Sequence, residues 1–537
     1  MPASKPVSRR LRPSAFVAAL LLASACLPAQ AVPVPLTEAS IPQLQQAMAD
    51  GSLSSERLVS LYLKRIAAYD NQGPAIHSVI TLNPKALDTA RTLDKERKAG
   101  KLRGPLHGIP VLLKDNYDTA DLPTTAGSFL LKGSIPPDDA YMVRRLREAG
   151  AIVLAKVNLS EFASGGAQSS LGGRTRNPHD LTRTPSGSSG GTGAALAAVF
   201  APLGFGTDTG GSIRGPSTAN GVVGFKPTHG LLSRDGILPL ALSFDTGGPM
   251  GLSVADIAVS LGTMTGVDPA DAATAKSAGK FETDYTKYLK ADALKGAKIG
   301  IARDFMGQDE EVDWVIETAL STMRKAGATI VDVKYPKWLL DSRAEFYNAI
   351  RRPEFKAQIG DYLKTLKPGY PKSHEELMAG VEALVSPTDD MIPNLTRWNL
   401  FKQEAKSGSL EDADYLTVRD YALPLVRAAL DGVMNSSGVD AIVYPTSPKR
   451  PARTDLDPVT GGPEGRSATN FANLSGYPDL IVPAGFTTGG LPVGISFFGP
   501  AFSEPKLIAL GYAFEQHSHA RRLPVLTPPL PGEMIGR

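Results

Sequence analysis

The residues best suited to chemistry lie between Gly187 and Arg214. The stretch opens on a Gly-Ser loop, Gly187-Ser188-Ser189-Gly190-Gly191-Thr192-Gly193, and crosses an apolar segment from Ala194 to Phe205. It closes on Gly206-Thr207-Asp208-Thr209-Gly210-Gly211-Ser212-Ile213-Arg214. Two serine-bearing glycine loops thus bracket about one helix and one strand. A serine that attacks a carbonyl needs a neighbour to take its proton, and glycines let backbone N–H groups approach a developing oxyanion. The pattern reads as a nucleophile loop and a proton-relay loop brought together by folding.

Glycine loops also cradle phosphates, but the signatures of that chemistry are missing. There is no G-x-x-x-x-G-K-[ST], and neither loop completes G-x-G-x-x-G, because Leu196 and Thr209 hold the final places. Gly187 to Gly191 does contain G-x-S-x-G with Ser189 at its centre, the nucleophile elbow of α/β-hydrolases. That reading needs a later acid and histidine. His229, His374, His517 and His519 are available, though none sits in a distinguishing context. An esterase built on Ser189 therefore stays open as an alternative.

The loops need elements to hold them. Ile109 to Leu113 is a short continuous apolar run, the pattern of a strand covered on both faces, with Lys114 at its carboxyl end. In an open α/β sheet that end is where ligands bind. Helices are predicted over Ser54 to Tyr69, Pro84 to Ala99 and Asp139 to Ala149, the last leading through Gly150 into a strand from Ala151 to Ala155. Lys298 to Ala302, a helical stripe from Val312 to Met323 ended by Gly327, and Thr329 to Val333 form a βαβ unit, which implies parallel pairing. Further strands are expected at Ala441 to Tyr444, Asp479 to Val482 and Leu491 to Phe498, and a final helix at Lys506 to Glu515. Residues 335–436 read as mostly helical, carry no assignable motif, and suit a substrate-shaping cover.

The first 31 residues differ from the rest. Lys5, Arg9, Arg10 and Arg12 precede the apolar run Ala15 to Leu27, and Ala29-Gln30-Ala31 supplies a small-x-small cleavage site. This is a secretory signal peptide, with cleavage expected after Ala31 and no stable membrane insertion afterwards. Four of the 57 basic side chains and none of the 54 acidic ones lie there, leaving 53 against 54 in the mature chain. The footprint of a nucleic-acid-binding protein is therefore absent. Cys26, the only cysteine, leaves with the leader, which excludes a disulfide, a cysteine nucleophile or a thiolate metal site. An exported location, periplasmic or extracellular, follows. A periplasmic solute-binding protein is a second class compatible with this length and location, although it would have no use for the serine loops and Lys114 together.

Taken together the motifs closely resemble the amidase signature family. The resemblance rests on Gly187 to Gly191, Gly206 to Arg214 and Gly221-Val222-Val223-Gly224-Phe225-Lys226-Pro227-Thr228. It extends to Gly108-Ile109-Pro110 through Lys114-Asp115, Asn158 with Glu161, Gly476-Tyr477-Pro478 and Gly490 to Gly494, and runs from about Leu53 to Glu515. It implies Ser212 as nucleophile, Ser188 as a bridging serine on a cis peptide after Gly187, and Lys114 as base, with Thr209, Gly210 and Gly211 supplying oxyanion donors. Asp208 and Arg214 would pair to hold the loop, and Ser189 would support Lys114 or the loop backbone. A lysine can serve as base only if neutral, which burial favours. His107 and His229 have no place in this chemistry and are expected to pack or hydrogen-bond.

The fold implied is a single large α/β/α domain over residues 32–537, with a central mixed, mostly parallel twisted sheet covered by helices. Its catalytic core would span about 53–270 and 437–516, with the helical region over 335–436. The activity implied is hydrolysis of a carboxamide C–N bond in a small-molecule or peptide amide, needing no metal or organic cofactor. Peptide C-terminal amides are mildly favoured by the exported location.

Overall fold

A computed structural model describes residues 1–4, 34–384, 394–454 and 467–536, so the signal-peptide cleavage site lies outside the described residues. The strands, in chain order, begin with β1 (Val34–Pro35), β2 (Val79–Leu82), β3 (Pro110–Lys114), β4 (Ile152–Val157), β5 (Gln168–Ser169), β6 (Gly173–Arg174), β7 (Leu203–Asp208) and β8 (Val223–Lys226). They continue with β9 (Thr246–Gly251), β10 (Lys298–Ala302), β11 (Thr329–Val333), β12 (Ala441–Pro445), β13 (Asp479–Phe486), β14 (Pro492–Phe498) and β15 (Met534–Ile535). Eleven of them form one sheet in the order β11-β10-β12-β14-β13-β8-β9-β7-β3-β4-β2, while β1 pairs with β15 and β5 with β6.

Strands buried on both faces read as unbroken apolar runs, and every residue of β3, β4, β7, β8, β12 and β14 is buried. Helices on both faces supply the cover. Their ends follow ordinary capping chemistry: Ser54 accepts from the Arg57 N–H at the start of Ser55–Tyr69, and Asp309 accepts from Glu311 N–H at the start of Glu310–Lys325. The βαβ unit predicted around Val312 to Met323 is present, with β10 and β11 parallel and in register from Lys298↔Thr329 to Ala302↔Val333.

The sheet is mixed, as expected, but the expectation of mostly parallel pairing needs correction. Parallel pairs are confined to two flanks, β11-β10-β12 and β7-β3-β4, and the pairs between β12 and β7 are all antiparallel. The cause is the connections. Thr487 N–H donates to Leu491 O across the turn between β13 and β14, and so tight a link can only reverse the chain. β9, Thr-Gly-Gly-Pro-Met-Gly, has no apolar alternation to announce it, and β8 pairs with it only at Gly251 and Met250, stopping before Pro249.

One consequence positions the functional residues. β3 and β7 are adjacent and parallel, with Leu113 opposite Phe205, so their carboxyl ends emerge side by side. Lys114 is the last residue of one and Asp208 the last of the other. The helical region that follows β11 folds back over this end. In its long helix, Lys337–Thr365, Glu354 accepts from Ser243 N–H at 2.9 Å and Gln358 from Leu242 N–H at 2.9 Å.

Candidate active site

Lys114 is fully buried at the end of β3, among Val111, Leu112 and Leu113. Its ammonium nitrogen reaches two hydroxyls, Ser188 Oγ at 2.7 Å and Thr207 Oγ1 at 2.7 Å. Asn116 Nδ2 donates to the same Thr207 oxygen at 3.1 Å, which fixes that hydroxyl between two donors. Burial pushes Lys114 down to about 7, against a weaker upward pull from Asp208 and Asp245. A lysine so placed is neutral in a large fraction of molecules near pH 7, as a base must be.

Ser188 follows a cis peptide bond from Gly187. Its carbonyl accepts from Ser160 N–H at 3.0 Å, and the helix Gly190–Ala197 begins two residues later. That helix starts against Asn158: Gly191 N–H donates to Asn158 O at 3.1 Å, and a Cβ at Gly191 would fall 2.2 Å from the same oxygen, so only glycine fits. Ser189 does not reach Lys114. Its hydroxyl donates to Thr207 O at 3.2 Å and accepts from Thr207 N–H at 3.3 Å, so it clasps the backbone of β7. No histidine bonds Ser189 among the described residues, and the α/β-hydrolase alternative has no base in place.

Ser212 sits on the loop between β7 and the helix Arg214–Asn220, half-buried and so open to a substrate. Its carbonyl accepts from Ser189 N–H at 3.1 Å, joining the two serine loops through the main chain. Its hydroxyl carries no hydrogen bond among the described residues. Gly211 adopts φ +123°, in the left-handed region that glycine tolerates, and turns the chain into the serine.

The Asp208–Arg214 pair is present, and it is larger than a pair. Arg214 donates to both Asp208 oxygens, Nη2 to Oδ1 at 2.9 Å and Nε to Oδ2 at 3.0 Å, and Nη1 reaches Asp479 Oδ2 at 3.0 Å, all fully buried. Asn473 closes the network, accepting from Arg214 Nη2 at 2.6 Å and donating to Asp208 at 2.9 Å. Burial opposes the Asp208 charge, but Arg214 and the other donors overcome it and hold the carboxyl far below its ordinary range.

This network decides which backbone groups can meet an oxyanion. Gly211 N–H, one of the expected donors, is already given to Asp208 Oδ1 at 2.9 Å, and Ile213 N–H to Oδ2 at 3.0 Å. In this structure Gly211 N–H is thus engaged by the carboxylate that shapes the loop, while Thr209, Gly210 and Ser212 present N–H groups without a partner among the described residues.

Sequence reasoning missed several participants. Asp245 accepts from Thr209 Oγ1 at 2.5 Å and from the Leu240 and Ala241 N–H groups, and burial raises its carboxyl to about 6. Tyr347, stacked on Phe244 with ring centroids 5.5 Å apart, packs over Gly210. Thr207, Asn116, Asp479 and Asn473 complete the list. Of these Thr207 lies within a recognised motif, and Asn116 and Asp479 each directly follow one; the others lie far along the chain with no local signal. His107 and His229 behave as expected, each placing Nε2 2.9 Å from a backbone carbonyl, Leu93 O and Leu242 O, to which a ring N–H must donate.

Comparison with known proteins agrees with this geometry. The Amidase family profile matches residues 57–508. Among solved structures, the native peptide amidase of Stenotrophomonas maltophilia is 41% identical with a TM-score of 0.84, covering 92% of this chain and 100% of that one. A peptide amidase bound to the competitive inhibitor chymostatin is 42% identical with a TM-score of 0.85, covering 91% and 99%. A glutamyl-tRNA(Gln) amidotransferase subunit from Rhodopirellula baltica is 36% identical over 491 residues, 87% of this chain and 95% of that protein. A probable amidase of Arabidopsis thaliana is 35% identical over 506 residues, 91% and 92% of the two chains. Fold and site define a hydrolase acting on amide C–N bonds. The chain belongs to the Amidase family, as a serine amidase.

Proposed function

We propose that this protein is an exported amidase that acts through an acyl-enzyme on Ser212 and prefers peptides bearing a C-terminal amide. The observation that carries the mechanism is the 2.7 Å hydrogen bond between a fully buried Lys114 and Ser188. As Ser212 Oγ attacks the amide carbon, its proton passes to Ser188, whose own proton moves to neutral Lys114. The Ser212–Ser188 hydrogen bond forms as substrate seats; such bonds are often loose before the substrate binds. The N–H groups of Thr209, Gly210 and Ser212 stabilise the oxyanion. Collapse breaks the C–N bond, the relay returns the proton to the leaving amine, and water then attacks the acyl-serine by the same route to release the acid. The region 335–436 shapes the substrate side, a reading supported by Tyr347 over Gly210.

The peptide preference is supported by the likeness to the two peptide amidases, and export by the charged, apolar and small-residue pattern of residues 1–31. A second reading, a component of an amidotransferase, draws on the Rhodopirellula relative. The leader and the near-neutral mature charge weigh against it. The deciding measurement is turnover by the purified mature protein of peptide amides and acyl amides, read as ammonia, anilides, read as aniline, and esters, read as the acid formed. Peptide amides are expected to turn over fastest, and Ser212→Ala to abolish turnover while the melting transition persists. Near wild-type activity of Ser212→Ala would sink the mechanism, and faster release from simple acyl amides would sink the substrate preference.

A further inference from the structure

A cavity opens behind the network that braces the Ser212 loop, with Asn473, which bonds Asp208 and Arg214, in its wall. It encloses about 440 Å³ between the core and the helical cover, within the range of small-molecule sites. No hydrogen bond joins its lining to Lys114, Ser188 or Ser212 among the described residues. Leu423, Leu474, Tyr477 and Phe502 supply an apolar body, and Lys276, Arg419 and Arg427 supply cations at its wall.

The charges there are unbalanced. Arg419, on the π-helical turn Val418–Ala422, is bound by Asp420 at 2.7 Å. Lys276 and Arg427 have no hydrogen bond or ion pair among the described residues. The nearby carboxylates are otherwise engaged: Asp271 is held by Arg234, Asp431 accepts from Tyr477 OH at 2.6 Å, and Glu504 accepts from Thr228 N–H at 2.7 Å. Behind the wall, buried Lys226 donates to Tyr477 O at 3.0 Å; burial, then Arg214, lower it to about 7, so it adds only part of a charge there. Burial, then Arg234 and Arg427, lower Lys276, and His229 is pushed down to about 3 by burial and by Arg234, with Lys276 and Lys226 adding to the effect. Cations so crowded are relieved by an anion.

We infer that this cavity binds a carboxylate carried on an apolar body, the acid gripped by Lys276 and Arg427 and the body laid on Leu423, Leu474 and Phe502. Guanidinium and ammonium donors recognise a carboxylate by charge-assisted hydrogen bonds, and the apolar lining selects against small inorganic anions. The ligand class is that of an amide hydrolysis product, but the site stands on the cavity alone and would survive a change of substrate assignment.

The test is calorimetric titration of N-acetyl-L-leucine into the full Ser212→Ala protein, with N-acetyl-leucinol and inorganic phosphate as comparisons. The acid is expected to bind, the alcohol and phosphate each to bind at least about tenfold more weakly, and Arg427→Ala and Lys276→Ala each to weaken the acid by about tenfold or more. Lys276 is exposed, so its substitution leaves the fold intact even if Arg427→Ala does not. With Ser212 restored, both variants should keep wild-type kcat/KM, which separates this site from the catalytic one. Absence of binding at millimolar acid, binding indifferent to both substitutions, or phosphate binding as tightly as the acid would each overturn the proposal.

Discussion

At the scale of single residues, the site depends on keeping one lysine uncharged. Lys114 is held at about 7, below its ordinary 10.5, by burial. The folded state thus lacks a proton that the unfolded chain still binds between those two values, so the cost to stability is fully present below about 7 and is relieved as pH rises toward 10.5. Two outcomes follow. The acidic limb of kcat/KM should have an apparent pKa near 7, and Lys114→Met should be inactive yet no less stable than wild type at pH 6. A limb near 10, or a Lys114→Met protein that melts well below wild type, would show the lysine to be charged and paired. Lys114 itself is legible in the sequence, since an apolar run ending in a charge marks a strand's carboxyl end. Asp245 is not: an aspartate after a loop looks like any other until the fold brings it to Thr209.

At the scale of elements, the loop from Asp208 to Arg214 is shaped by a buried ion network that draws on distant segments. Removing one partner of such a network leaves charge uncompensated, at about 3–5 kcal/mol. Arg214→Met strands the Asp208 and Asp479 carboxylates, and urea unfolding should show a loss of that order together with loss of activity. A loss under about 1 kcal/mol would mean that the carboxylates find other partners. The two ends of this network differ in legibility. Asp208 and Arg214 bracket one loop and can be paired from the motif, whereas Asp479 and Asn473 arrive from segments more than 250 residues away. The same contrast holds for strands. β10 and β11 are readable because a helix separates two apolar runs, but β9, built largely of glycine, becomes a strand only because β7 and β8 offer it hydrogen bonds on both sides.

At the scale of the whole molecule, one sheet collects strands from Val79 to Phe498, so the catalytic loops and the segments that brace them are parts of one packed structure. The proposed export is tested at the N-terminal end. N-terminal sequencing of protein recovered from a bacterial periplasm or medium should begin at Val32, and an intact leader in the recovered protein would count against cleavage after Ala31. Val34 pairs with Ile535 and Pro35 with Met534, Leu36 N–H donates to Glu533 O at 2.8 Å, and Glu533 is held by the buried Arg65 at 2.8 Å. The first and last strands among the described residues thus lie side by side. Joining them with a brief linker and opening the chain instead at the exposed turn around Gly369 would give a circularly permuted enzyme. Its sheet and its serine loops would be unchanged.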